Sequence, residues 1–231
     1  MGKVPSFLGS VVDSAFGTEL TARQIMDFSS QIRRVVFQSP KLFGERSKPM
    51  GKVEIHVGQG HFRSYTPLGL DSGKGEITLL IHLHGNGVGS SWAENLKVGS
   101  KVKVFGPEGS VKTNLQASTH LCFGDETALG AFVSLQSSLP STAKIYGAVE
   151  LADAAILNEL GLPLASVSKT NETSLISWLK NQKPLPPDSQ VYLLGRAKSI
   201  GQLRSYFVQQ LNFPKTNIHT KAYWADGKSG L

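Results

Sequence analysis

The hydrophobic period changes part-way along this chain, and that change limits what the chain can fold into. In the first half, segments near 30–37, 52–57, 62–66, 77–84 and 102–105 are short and β-branched, with turn residues between them. Lys52-Val53-Glu54-Ile55-His56-Val57 and Lys101-Val102-Lys103-Val104 alternate polar with apolar. Half-polar strands of this kind suit an antiparallel barrel. In the second half, apolar strands at 119–123, 144–149, 165–168 and 190–194 are separated by helical segments at 126–138, 151–160, 173–181 and 198–211. Strand–helix alternation predicts parallel βαβ units with right-handed crossovers. The expectation is a two-domain β plus α/β protein. An antiparallel β-barrel occupies residues 1–116 and an open parallel-sheet nucleotide-binding domain residues 117–231, divided after a Gly106-Pro107 turn. Residues 1–20 are ambiguous and could cap the barrel.

Two stretches of the first half carry the chemistry. Arg63-Ser64-Tyr65-Thr66 reads as a strand end, with Arg63 and Tyr65 on one face and Thr66 turned the other way. Further on, a strand breaks into His84-Gly85-Asn86-Gly87-Val88-Gly89-Ser90-Ser91-Trp92, a glycine-rich turn leading to a helix start capped by Ser90 or Ser91. Glycines let a backbone approach a ligand closely, and a helix N-terminus offers N–H groups and partial positive charge to a phosphate. An arginine reads phosphate bidentately and a phenol ring offers a flat apolar face. These are the parts needed to hold a flavin dinucleotide. Pro67 cannot donate a ladder hydrogen bond, so the strand should stop before it.

In the second half, Gly124-Asp125-Glu126-Thr127-Ala128 sits where a strand meets a helix. Such a turn can place a nucleotide phosphate or ribose, and Asp125 is equally suited to cap the helix. Glu150 follows the second strand of this half, where an acid suits the ribose hydroxyls of NADH. Gly195-Arg196 follows the 190–194 strand, where an arginine suits the 2′-phosphate of NADPH.

Taken in order, Arg-x-Tyr-Thr, His-Gly-x-Gly-x-Gly-Ser-Ser-Trp-Ala, Val-Gly-Ser-x-Val-x-Val-x-Gly-Pro, Gly-Asp-Glu-Thr-Ala and the closing Ala222-Tyr223-Trp224 with Gly227 resemble the siderophore-interacting flavoproteins. These are a branch of the ferredoxin–NADP⁺ reductase superfamily. The resemblance implies an FAD-dependent oxidoreductase that takes electrons from NADH or NADPH, passes them to a ferric siderophore and releases ferrous iron. It implies FAD contacts at Arg63, Ser64, Tyr65, Thr66, His84, Gly87, Val88, Gly89, Ser90, Ser91, Trp92, Asp125, Thr127, Ala128, Tyr223 and Trp224, with Thr66 at the reactive edge of the flavin. Nicotinamide-nucleotide contacts fall at Gly124, Glu150, Gly195 and Arg196. The chain departs from the family in two places. Pro67-Leu68 replaces a Val-Arg or Ile-Arg pair, and Gly-Arg at 195–196 replaces Gly-Glu.

Composition narrows the alternatives. A formal charge of +7 is spread as 14 basic and 9 acidic residues in 1–116 against 10 and 8 in 117–231. Residues 190–231 hold Arg196, Lys198, Arg204, Lys215, Lys221 and Lys228 against Asp226 alone. That end would attract an anionic chelate, with Lys198, Lys221 and Lys228 as candidate contacts. No basic stripe with interleaved aromatics suggests nucleic acid. The single Cys122 excludes an internal disulfide framework and fits a reducing compartment. With no apolar run long enough to span a bilayer and no signal-peptide pattern, the expectation is a cytoplasmic monomer without membrane insertion. His82 and His84 could pair on a metal, but no further ligand has recognisable spacing, so no metal site is expected. Two alternatives stand beside the siderophore reductase. One is a flavin reductase delivering electrons to ferredoxin, flavodoxin or a small quinone; the other is a siderophore- or flavin-binding protein without turnover.

Overall fold

A computed structural model describes residues 17–42, 49–169 and 173–228, with backbone alone at 107–110. The chain divides into two compact units between Ser110 and Val111. The N-terminal unit is a seven-stranded antiparallel sheet of β1 (Thr18–Asp27), β2 (Ile32–Gln38), β3 (Gly51–His56), β4 (Phe62–Tyr65), β5 (Gly69–Asp71), β6 (Glu76–His82) and β7 (Lys101–Ser110), in the order β4-β3-β7-β1-β2-β6-β5. It curls until β4 approaches β6. Alternate residues point inward, so Leu20, Ala22, Val35, Phe37, Val53, Ile55, Ile77, Leu79, Ile81, Val102 and Val104 fill one interior. A single helix, α1 (Gly87–Glu94), joins β6 to β7 and seats Ala93 against that interior.

Most of the expected strands are present, with two differences. The strand β1 lies in the middle of the sheet, between β7 and β2, where the sequence had suggested only a cap. Residues 1–16 of that expected cap lie outside the described residues. A bulge between Ala22 and Gln24 explains why β1 was hidden: the inward phase moves from Leu20 and Ala22 to Ile25, which destroys the period-two pattern. Gly106-Pro107 is not a turn. The strand β7 runs through it to Ser110, with Glu54 opposite Phe105 and Lys52 opposite Glu108, one residue more on β7 than on β3. Gly106, at φ 103°, supplies the conformation that such a bulge needs, and proline is tolerated where a ladder bond is missing.

The C-terminal unit is a five-stranded parallel sheet of β8 (Thr119–Asp125), β9 (Lys144–Glu150), β10 (Ala165–Val167), β11 (Gln190–Arg196) and β12 (Ile218–Trp224), in the order β10-β9-β8-β11-β12. Its helices are α2 (Leu129–Ser138), α3 (Ala155–Glu159), α4 (Ser174–Lys180) and α5 (Ala197–Gln209). Leu121, Phe123, Ala148, Val191 and Leu193 pack with Leu175 and Leu179 of α4 and Ile200, Leu203 and Phe207 of α5. Because both faces of a parallel sheet are covered, Gln190 to Leu194 are all buried. The winding reverses between β8 and β11. The carboxyl ends of those two strands therefore border a crevice, where open α/β sheets bind ligands. Among the described residues, no helix is long and apolar enough to cross a membrane.

Candidate functional site

In the N-terminal unit the two motifs come together although 17 residues lie between Thr66 and His84. β4 ends at Tyr65, as Pro67 requires, and places Arg63 opposite Ile55 and Tyr65 opposite Val53. The Arg63 stem lies on α1: a methyl group added at Gly89 would sit 3.1 Å from the Arg63 Cγ and 3.3 Å from its Nε. Arg63 Nη1 donates to the Phe62 carbonyl at 2.8 Å. The Tyr65 ring lies 6.2 Å from that of Trp92, and burial raises the Tyr65 pKa, keeping the phenol protonated. Thr66 follows the strand, half-buried. Ser64, on the other face, donates to Glu54 at 3.4 Å, and Lys52 holds the same carboxylate oxygen at 2.8 Å.

The helix starts three residues before the expected serine cap. Asn86 occupies the N-cap and makes no side-chain capping bond, while Ser90 lies inside α1. Ser90 is nevertheless used, for its hydroxyl accepts the Gly85 N–H at 3.1 Å and donates to Glu94 at 3.2 Å, folding the glycine turn onto the helix. His84 is exposed and its Nδ1 accepts the Asn86 N–H at 3.3 Å. Ser91 is exposed and Val88 half-buried. Gly85 and Gly87 have φ of 75° and 80°; a methyl group would meet nothing within 4 Å at Gly85 and only the His84 ring at Gly87. An open glycine face, a helix N-terminus not capped by its own side chain and an adjacent guanidinium fit a dinucleotide phosphate. The neighbouring Tyr65–Trp92 pair fits a planar ring. This donor set suits FAD.

In the C-terminal unit the predicted residues converge on one buried carboxylate. Asp125, 1% exposed, accepts the Thr127 N–H at 3.0 Å, the Arg196 N–H at 2.8 Å and the Trp224 indole N–H at 2.8 Å, together with the Thr127 hydroxyl. It thus caps the turn after β8 and ties the ends of β11 and β12 to it. The flanking glycines follow from this crowding. A side chain at Gly124 would strike the Leu194 carbonyl and Ala128, and one at Gly195, at φ 120°, would reach within 2.5 Å of the Asp125 carboxylate. Glu150 stands beside Asp125 in the ladder, 2% exposed. Burial raises its pKa, Lys169 opposes that rise, and Asp125 and Glu126 add to it.

Arg196 does not project alone. Its Nε lies 2.9 Å and its Nη2 2.8 Å from the same Asp226 oxygen, and the guanidinium sits 5.6 Å from the Trp224 ring. The family resemblance implies an acid at 196; here an arginine stands there, and Asp226, two residues after the tryptophan, is its counter-ion. Tyr223 precedes Trp224 on β12, half-buried. Lys198, at the start of α5, Lys221, on β12, and Lys228, beyond the Asp226 turn, are all exposed. Two residues had no sequence signal. Asp226 stands in the sequence only as the lone acid of the basic end, and Lys169 falls in no motif. Lys169 reaches from the end of β10 to within 3.7 Å of Glu126 and 5.0 Å of the Trp224 ring. Among the described residues, no cluster of histidine, cysteine and carboxylate side chains could hold a metal ion.

Comparison with known proteins now decides the family. Residues 54–111 match the siderophore-interacting FAD-binding domain, and residues 117–227 match the siderophore-interacting protein family. The chain belongs to the siderophore-interacting proteins. Its N-terminal unit is therefore an FAD-binding domain. Among curated relatives, the ferric vibriobactin reductase ViuB of Vibrio cholerae is 24% identical over 72% of this chain and 65% of its own length. The NADPH-dependent ferric-chelate reductase of Escherichia coli is 26% identical over 97% of this chain and 99% of its own. A siderophore utilization protein from T. fusca superposes with a TM-score of 0.80 at 22% identity, covering 93% of this chain and 95% of that one.

Proposed function

We propose that this chain takes electrons from a reduced nicotinamide dinucleotide and passes them to a ferric siderophore, so that iron leaves as Fe²⁺. The observation that carries the reading is the seating of Arg63 against Gly89 at the start of α1, beside the Tyr65–Trp92 pair. Family membership and the two reductases among the relatives support it. FAD, when bound, supplies the conversion of a two-electron hydride into single electrons. Arg63 and the first-turn N–H groups of α1 hold its pyrophosphate, Tyr65 shields its ring, and Thr66 borders the reactive edge. In the C-terminal unit the Asp125 hub holds the crevice between β8 and β11 in shape for the coenzyme. Electron transfer to an external chelate needs no protein acid–base pair, and none is proposed. Lys198, Lys221 and Lys228 attract the chelate by charge.

The test is stopped-flow mixing of full-length protein, pre-reduced with NADH or NADPH, with a panel of ferric chelates at several salt concentrations. Flavin re-oxidation and trapped Fe²⁺ are followed. Anionic chelates should react more slowly as the Debye length shortens from about 30 Å at 0.01 M to about 8 Å at 0.15 M. Lys221→Glu with Lys228→Glu should lower that rate while flavin reduction stays intact. A reduced protein that ignores every chelate but reacts with ferredoxin, flavodoxin or a quinone would overturn the siderophore assignment.

A further inference from the structure

We propose that the C-terminal unit selects NADH over NADPH, and that Glu150 is the residue that sets the choice. This rests on the coenzyme reading above and makes it specific. In a sheet wound as β10-β9-β8-β11-β12, the adenosine half of a dinucleotide lies over the carboxyl ends of the strands on one side of the crevice. The acid that accepts the ribose 2′-hydroxyl stands about 20 residues after the first turn. Glu150 ends the second strand, 25 residues beyond Asp125 and beside it in the ladder.

The charges on that half have a definite sign. Among the described residues, the carboxylates of Asp125, Glu126 and Glu150 lie near Lys169, which is already 3.7 Å from Glu126. Arg196 also acts on Glu150, but its guanidinium is forked onto Asp226 at the other side of the crevice, where Lys198 adds its charge to the same carboxylate. A ribose hydroxyl entering the adenosine half meets the Glu150 carboxylate as its acceptor, since Asp125 is taken by its own donors. A 2′-phosphate, carrying close to two negative charges, meets an excess of carboxylates. Lys169 moderates that repulsion without cancelling it, and the Glu150 carboxylate is what remains.

The experiment measures binding and involves no electron transfer. Full-length FAD-loaded protein is titrated calorimetrically with NAD⁺ and with NADP⁺ at pH 8. NAD⁺ should bind at least about tenfold more tightly. Glu150→Gln should weaken NAD⁺ and bring the two affinities within about threefold, whereas Glu150→Asp should keep their order. Lys169→Gln, at a half-exposed position that folding tolerates, should widen the gap. Equal or tighter binding of NADP⁺, or an unchanged ratio in Glu150→Gln, overturns the inference and leaves coenzyme use intact. If the FAD-loaded protein binds neither, coenzyme use itself fails and this inference falls with it.

Discussion

Arg63 shows how one side chain can serve packing and recognition together. Its methylenes lie against Gly89, where a methyl group would press on them at 3.1 Å and make the arginine stem shift. Its guanidinium is left beside the start of α1, held by the Phe62 carbonyl. A charge-assisted phosphate contact at such a site is worth about 1.5–3 kcal/mol, so Arg63→Ala should weaken FAD about 10- to 150-fold. Reconstitution of stripped protein, followed by flavin fluorescence, measures this directly. An unchanged FAD affinity would place the phosphate elsewhere. The Arg196–Asp226 pair teaches a different lesson at the same scale. The sequence offers Arg196 to a 2′-phosphate, and the structure gives its guanidinium a carboxylate partner 30 residues away. The pair is largely exposed on the Asp226 side, so its worth to stability is small. Its use is to hold the guanidinium over Trp224.

Secondary-structure elements were legible where one rule governed them and hidden where two competed. The strands β3 and β6 alternate, β2 carries a Val-Val-Phe run, and β8, β9 and β11 have apolar centres, so pattern alone located them. A bulge broke the alternation of β1 and another carried β7 through a glycine–proline pair that local chemistry marks as a turn. The edge strand β12 is too polar and exposed to announce itself. In the N-terminal unit each half of the candidate site is a local motif and could be read from spacing. In the C-terminal unit the hub joins residues 99 positions apart, from Asp125 to Trp224, and no spacing reveals that. The hub predicts its own test. Asp125→Ala leaves the Thr127, Arg196 and Trp224 donors without their acceptor, and each unsatisfied buried donor costs about 1–3 kcal/mol. Urea unfolding should show a loss of about 2–5 kcal/mol, with Trp224 emission shifted to the red. A loss below about 1 kcal/mol would mean that water replaces the carboxylate and that the strand ends do not depend on it.

For the molecule as a whole, acidification should be destabilising well before its carboxylates titrate. The formal charge is already +7, and each added proton increases self-repulsion. Two imidazoles of the C-terminal unit add a specific term. His120 is fully buried, 5.8 Å from the Tyr192 ring with its Nε2 on the Ala117 carbonyl. His219 stacks on the other side of Tyr192 at 5.2 Å and meets Gln190 at 2.9 Å. Burial lowers both pKa values, and Lys112 lowers that of His219 further. The unfolded chain then binds more protons than the folded one, so this stability is complete above the ordinary histidine value of about 6.5 and is lost as pH falls below it. Glu150 acts in the opposite sense. Its raised pKa lets the folded state take up a proton first, which softens the acid loss. The melting temperature should therefore fall between pH 7.5 and pH 5.5, and fall more steeply in Glu150→Gln. It should fall less in His120→Asn with His219→Gln, whatever those substitutions cost at neutral pH. A melting temperature that holds level or rises over that interval in the unaltered chain would show that the Tyr192 stack accepts charged imidazoles. The acid sensitivity would then have to come from carboxylate pairs such as Asp27 with Arg33, whose lowered pKa loses its effect only at a still lower pH.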